Sequence, residues 1–223
     1  MGVVFKAIDP ALNRVVAIKR LAPDLATCPL ARRRFVREAR AAAAVCHDHV
    51  VTIHAVDESN GSPYLVMQYV AGQSHQEKID RSGPLGLRET LRIDSQIAFG
   101  LAAAHAQGLV HRDIKPANIL LENDVERAKI TDFGLAAAAS DARLTRDGSI
   151  AGTPQYMAPK VARGEPVDPR TDLFSLGSVL YAMVTGEAPF GGDSVVAVLR
   201  RVSDDSPLPI RELRRDAPAG LVA

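Results

Sequence analysis

Apolar and β-branched residues open the chain in two short runs, Val3-Val4-Phe5-Lys6-Ala7-Ile8 and Val15-Val16-Ala17-Ile18-Lys19, separated by Asp9-Pro10 to Asn13-Arg14. Runs of this kind bounded by turn residues predict two strands joined as a hairpin. The period then changes. Over Leu30 to Val45 the residues Phe35, Val36 and Ala39 share one face of an Ala- and Arg-rich helix. Two further strands are predicted, Val50 to Val56 and Tyr64 to Val70, with Gly61-Ser62-Pro63 as the turn between them. Residues 1–70 therefore read as a small, mostly antiparallel sheet with one helix.

After Ala71-Gly72 the pattern becomes helical. Leu87 to Gln107 is long and amphipathic, with Gly108 placed as a C-cap. Short strands are predicted around Ile119-Leu120-Leu121 and over Ala128 to Thr131. Residues 133–169 lack periodicity and contain several Gly and Pro, so they read as a long loop, and a loop of that length inside a domain is commonly functional. Asp172 to Val184 reads as a buried helix, and Asp193 or Ser194 caps a last helix running through Val202. The tail from Ser206 is rich in Pro and charge.

Composition narrows the class. With 223 residues, 47% hydrophobic and 24% charged, the chain has ordinary globular usage and enough length to bury a core. Lys+Arg 27 against Asp+Glu 26 gives a net charge of +1, so no global field points to nucleic acid or an anionic membrane. The run Arg32-Arg33-Arg34 reads as a solvated helix face. Cys28 and Cys46 lie far apart without a CxxC spacing, which argues against a disulfide framework or a zinc site. No secretory leader is visible, and the richest apolar stretch, Leu173 to Val184, is too short and too interrupted by Ser175, Gly177 and Ser178 to cross a membrane. A reducing, cytoplasmic setting fits this usage.

Three segments carry chemistry. His111-Arg112-Asp113-Ile114-Lys115-Pro116-Ala117-Asn118 presents an acid, a base and an amide on a strand-bounded loop. An Asp can accept a hydroxyl proton, a Lys can neutralise phosphate oxygens, and an Asn can ligate a hard metal through oxygen. Thr131-Asp132-Phe133-Gly134 adds a carboxylate after a short strand, and a carboxylate with an amide suits Mg²⁺. Lys19 on its strand needs a partner, and Glu38 on the following helix is placed to hold it towards phosphate.

These segments, in this order and on these elements, resemble the motif set of the protein kinases, and the resemblance covers essentially the whole chain. It implies a two-lobed α+β fold: a small antiparallel β-sheet lobe with one helix over residues 1–70 and a larger, mainly helical lobe over 71–223. It implies that ATP and Mg²⁺ are the cofactors and that proteins with Ser or Thr acceptors are the substrates. By the same resemblance, Lys19 would hold the α- and β-phosphates and Glu38 would orient it. Asp113 would accept the substrate hydroxyl proton, Lys115 would balance charge on the transferred group, and Asn118 and Asp132 would bind magnesium. Met67 falls at the gatekeeper position, Gln68-Tyr69-Val70 at the hinge, and Val4, Ala17 and Leu120 around the purine. Lys115, two places after Asp113, fits the Ser/Thr pattern. Arg112 resembles that of kinases switched on by phosphorylation of the activation loop, for which Thr145 and Ser149 are candidate acceptors. Thr153 resembles a substrate-loop threonine, and Asp172 a buried helix residue that supports the catalytic loop. The wording is closest to bacterial Hanks-type Ser/Thr kinases, many of which carry a membrane span and sensor region after the kinase domain.

The sequence departs from that pattern at three places. Only Gly2 corresponds to the glycine-rich loop, as its third glycine. The chain stops at Ala223, before the family's last helices, so faces of the Leu173 to Val184 helix are expected to be bare. Lys160 stands where the family has Glu and is expected to be solvated; Gln68 replaces the common hinge Glu. Two alternatives to an active kinase stay open at this point: a kinase-like binding module with little catalytic power, and a gene fragment whose Met1 is an internal residue.

Overall fold

The structure of the protein is a computed structural model that describes residues 2–123, 126–133, 154–218 and 220. The predicted hairpin is present: β1 (Val3–Asp9) pairs antiparallel with β2 (Arg14–Arg20). Asp9 Oδ1 accepts from the Ala11 N–H (3.1 Å), which folds the intervening turn back on itself. A short helix, α1 (Pro23–Ala26), leads into α2 (Pro29–Ala43). Ala and Arg are strong helix formers, and Pro29 starts α2 where its missing N–H is not needed. Its buried face carries Ala31, Phe35, Ala39 and Ala42.

β3 (Ile53–Ser59) and β4 (Ser62–Gln68) complete an antiparallel sheet of order β1-β2-β4-β3. The turn is Asn60-Gly61, one residue earlier than expected, because these two residues take the positive φ values (50° and 73°) that the hairpin needs. Val50 and Val51, expected as the start of β3, pair elsewhere. Val51 N–H donates to Ile130 O (2.9 Å) and Ile130 N–H donates to His49 O (2.8 Å), joining this stretch to the larger lobe.

The second lobe begins with β5 (Gly72–Ser74) and α3 (His75–Ser82), which the apolar pattern did not predict. A capping box starts α3: Ser74 Oγ accepts from the Glu77 N–H (3.1 Å), and Glu77 Oε2 accepts from the Ser74 N–H (2.6 Å). Then follow α4 (Leu87–Ala106), β6 (Ile119–Glu122) and β7 (Arg127–Ile130), with β5-β6-β7 as a small sheet. Gly72 is required where β5 meets β6, since a Cβ there would lie 1.9 Å from Leu121 O. The remaining helices are α5 (Pro159–Ala162), α6 (Pro169–Thr185), α7 (Val195–Asp204) and α8 (Ile210–Leu213). Part of the expected 133–169 loop is thus helical, and α6 starts earlier than expected because Asp168 caps it and Pro169 fills its first position.

Ile93, Ile97 and Leu101 of α4 pack with Val179, Ala182 and Met183 of α6 and with Ile119 and Ile130 to form the core of this lobe. Phe35, Ala39, Leu21, Leu25 and Leu65 form a separate core in the first lobe. The architecture is therefore the two-lobed α+β arrangement that the sequence implied. Of the α6 face expected to be bare, Leu173 is exposed while Val179 and Met183 are fully covered. The tail is pinned by Arg214, whose Nη1 donates to Leu85 O (2.7 Å) and Val184 O (3.1 Å). Gly134, Thr145, Ser149 and Thr153 lie outside the described residues.

Candidate active site

A single buried carboxylate organises the loop between α4 and β6. Asp172 on α6 is 0% exposed. Its Oδ2 accepts from the His111 N–H (2.8 Å) and its Oδ1 from the Arg112 N–H (2.8 Å). His105, at the end of α4, reaches the same Oδ2 through Nε2 at 2.7 Å. Charge-assisted bonds of this kind are short and strong, and they fix backbone that would otherwise be free. Arg112 is held at φ +70°, a conformation that non-glycine residues adopt only when their surroundings impose it. The support that the resemblance gave to Asp172 is therefore present as geometry, and His105 adds to it. Nothing local in the sequence links His105 to a residue 67 positions away.

The ordered loop presents Asp113. Lys115 Nζ donates to both carboxylate oxygens (3.0 and 2.8 Å). Asn118, on the 3₁₀ turn Pro116–Asn118, donates through Nδ2 to Asp113 O (2.8 Å) and Asp113 Oδ2 (3.0 Å). The Asn118 amide is thereby oriented, and its Oδ1 is left as an acceptor for a cation. His111 bridges to the next segment. Its Nε2–H donates to Thr131 O (2.9 Å), so Nδ1 can accept the Asp113 N–H (3.2 Å), and one tautomer satisfies both bonds.

Asp132 lies beside this cluster. Thr131 N–H donates to Asn118 O (3.0 Å), and the Phe133 ring packs on His111 with centroids 4.6 Å apart, so both neighbours of Asp132 are anchored. Asp132 itself has φ +67°. Its carboxylate meets Lys19, with Nζ to Oδ2 at 2.6 Å. The ion pair seen for Lys19 is thus to Asp132, the candidate metal ligand, where the resemblance implied Glu38 as the residue that orients it. Glu38 is buried on α2, with Oε1 3.5 Å from Arg37 Nη2. The reason is positional, since Thr131 and Phe133 carry Asp132 directly to the buried side of β2.

The adenine-site candidates divide. Ala17 and Met67 are buried together with Val51, and Tyr69, Val70 and Leu120 pack against them, forming an apolar floor between the lobes. Gln68 ends β4, and its N–H donates to Thr52 O (2.8 Å). Val4 pairs in register with Lys19 on the same sheet yet is 53% exposed and stands apart from that cluster. Gly2 passes so close to β2 that a Cβ would lie 1.6 Å from Arg20 O, so a side chain there is excluded. The candidate Mg²⁺ ligands Asn118 and Asp132 are one carboxylate and one amide. That is a fitting set for an ion that keeps waters and phosphates as its other ligands. Among the described residues no cluster of three or more His, Cys, Asp or Glu could hold a metal, and no helix is long and apolar enough to cross a membrane.

Comparisons with known proteins identify the family. The protein kinase domain family matches residues 1–212. A probable serine/threonine-protein kinase of Clostridium acetobutylicum is 39% identical over 220 residues, which are 99% of this chain and 33% of that protein. The serine/threonine-protein kinase PknB of Mycolicibacterium smegmatis is 41% identical over 215 residues, 94% of this chain and 34% of that one. The chain thus spans about a third of the length of these relatives. The crystal structure of the Mycobacterium tuberculosis PknI kinase domain is 30% identical with a TM-score of 0.76, covering 97% of this chain and 78% of that chain. Its relatives are bacterial serine/threonine-protein kinases, and this chain belongs to the protein kinase domain family.

Proposed function

We propose that this chain is the catalytic domain of an ATP- and Mg²⁺-dependent serine/threonine protein kinase. The observation that carries the reading is the position of Asp113. Two donors, Lys115 and Asn118, hold its carboxylate, and the Lys19–Asp132 pair lies in the adjoining segment. Mg²⁺-bound ATP supplies the γ-phosphoryl group and neutralises charge on its oxygens. Every other role falls to this chain. Asp113 orients the Ser or Thr hydroxyl of a protein substrate and accepts its proton. Lys115 moves from Asp113 towards the transferred oxygens. Asn118 Oδ1 and the Asp132 carboxylate would hold the metal, and Lys19 would hold the α- and β-phosphates, with Glu38 as its partner in the loaded state. Ala17, Met67 and Leu120, with Val4 closing from β1, would enclose the purine above the Gln68–Val70 hinge. Chemistry of this type depends on positioning and electrostatics, so the anchoring of Asp113 and Asp132 counts directly towards rate.

The cleft is assigned to the junction of residues 1–70 and 71–223. Thr145 and Ser149 are proposed as autophosphorylation sites that Arg112 would recognise, and the cytoplasm as the place of action, where ATP is available. The reading is tested by melting the purified chain with ATP, with and without Mg²⁺. Ligand at about 100 times its Kd adds about 2.7 kcal/mol to the native state, so a rise of several degrees that requires Mg²⁺ is expected. A cooperative melt that ATP and Mg²⁺ leave unchanged would overturn it.

A further inference from the structure

Arg32 and Arg33, the first two residues of the three-arginine run, belong to a feature that the kinase reading does not use. α2 buries one face against the sheet and turns the opposite face to solvent, and there a groove of about 590 Å³ runs between the helix and the end of β3. Arg32, Arg33, Arg37 and Arg40 line it, with Val36 among them and Glu58 as the carboxylate on the wall. Arg32 is engaged, its Nη2 lying 2.8 Å from Glu58 Oε2. Arg33 and Arg40 are exposed, and among the described residues their guanidiniums make no hydrogen bond or ion pair. Like charges three and four residues apart on a helix destabilise it slightly. Arg32 is paired with Glu58 and Arg37 lies 3.5 Å from Glu38, so among the described residues Arg33 and Arg40 are the groove guanidiniums left without an ion pair, on a chain whose net charge is only +1.

We propose that this groove docks an Asp/Glu-rich segment of a partner polypeptide. Charge complementarity selects an anion, and the guanidinium fork matches carboxylates in bidentate geometry. Arg33 and Arg40 are seven residues apart on α2, about 10 Å along its axis. That distance equals about three residues of extended chain, so acidic residues spaced three apart would meet both arginines. The concave shape and the apolar Val36 suit a peptide that lies along the helix. A flat bilayer would not enter the groove, and a duplex would need a broader basic field than one helix provides.

The test titrates the full chain into a fluorescein-labelled peptide of repeating Glu-Ala-Ala and follows anisotropy. Two double variants are compared, Arg33→Glu with Arg40→Glu in the groove, and Arg88→Glu with Arg215→Glu elsewhere on the surface, so the net charge changes equally. Both are checked for an unchanged melt. The groove variant is expected to bind at least about tenfold more weakly and the surface variant within about twofold of the parent, with affinity falling as salt rises. Equal loss in the two variants would reduce the effect to general charge attraction and overturn the proposal. So would no binding by the parent chain, or stronger capture by vesicles of phosphatidylcholine with phosphatidylserine that depends on the same arginines. None of these outcomes depends on phosphotransfer, so a failed kinase reading and a failed docking site are told apart.

Discussion

Lys19 Nζ and Asp132 Oδ2 lie 2.6 Å apart, with both side chains largely covered. An ammonium and a carboxylate removed from water are each unfavourable alone, and here each satisfies the other. The same two groups are those expected to hold phosphate and metal. Removing one should therefore affect stability as well as binding. Lys19→Met leaves the Asp132 charge without this partner, and a loss on the order of 3 kcal/mol is expected in urea unfolding, together with loss of the Mg²⁺-dependent shift by ATP.

Asp172 is the residue on which the catalytic loop depends, because it accepts from two backbone N–H groups and the His105 ring. Asp172→Ala would leave buried donors unsatisfied. A stability loss of at least about 3 kcal/mol is expected, with turnover falling although Asp113 is intact. Unchanged unfolding in Asp172→Ala would show that the loop is held by other contacts.

His75 gives a pH prediction. It is fully buried at the start of α3, and neither ring nitrogen has a hydrogen-bond partner in the structure. Burial, followed by the nearby Lys78, lowers its pKa from 6.5 to about 4. Between those values the unfolded chain takes up a proton that the folded chain refuses. The stability contribution is thus complete above pH 6.5 and drains as pH falls towards 4, by about 3 kcal/mol in all. His75→Leu should be the more stable protein at pH 5, and its stability should depend less on pH across that window. Parallel stability curves for the two proteins would contradict this.

Lys160 is paired and not merely solvated. Its Nζ lies 2.6 Å from Asp168 Oδ2, and Asp168 also caps α6 by accepting from the Arg170 N–H (2.8 Å). The Arg170 guanidinium, whose Nη2 donates to Asp168 Oδ2 (2.9 Å), and next Lys160 hold the Asp168 carboxyl far below the usual range. Lys160→Glu would set two carboxylates together at the helix start that leads to Asp172. A drop of a few degrees in melting midpoint is expected, larger at low salt because partly exposed pairs are screened.

Much of this was legible in the sequence, and the exceptions have physical causes. The hairpin around Lys19, helix α2 and helix α4 follow from apolar period alone. Helix α3 was missed because Ile79 is the one buried apolar residue in it, even though its capping box, Ser74 to Glu77, was written in the sequence. Chemistry confined to one loop, as with Asp113, Lys115 and Asn118, is readable because few residues separate the groups. Pairs made by folding are not: Lys19 with Asp132 and His105 with Asp172 depend on where distant elements arrive. The Arg32–Arg34 run was read as a solvated face, and only the position of Glu58 beside α2 reveals a groove there.

The central claim is that Asp113 serves phosphotransfer from Mg²⁺-bound ATP to Ser or Thr. The most direct measurement is transfer of labelled γ-phosphate to the chain itself and to a Ser/Thr-containing protein, comparing the parent with Asp113→Ala. Transfer by the parent, lowered by at least about a hundredfold in a variant that still gives the ATP-dependent melting shift, is the expected result. Equal transfer by the two proteins, or none by a parent chain that binds ATP and Mg²⁺, would contradict it.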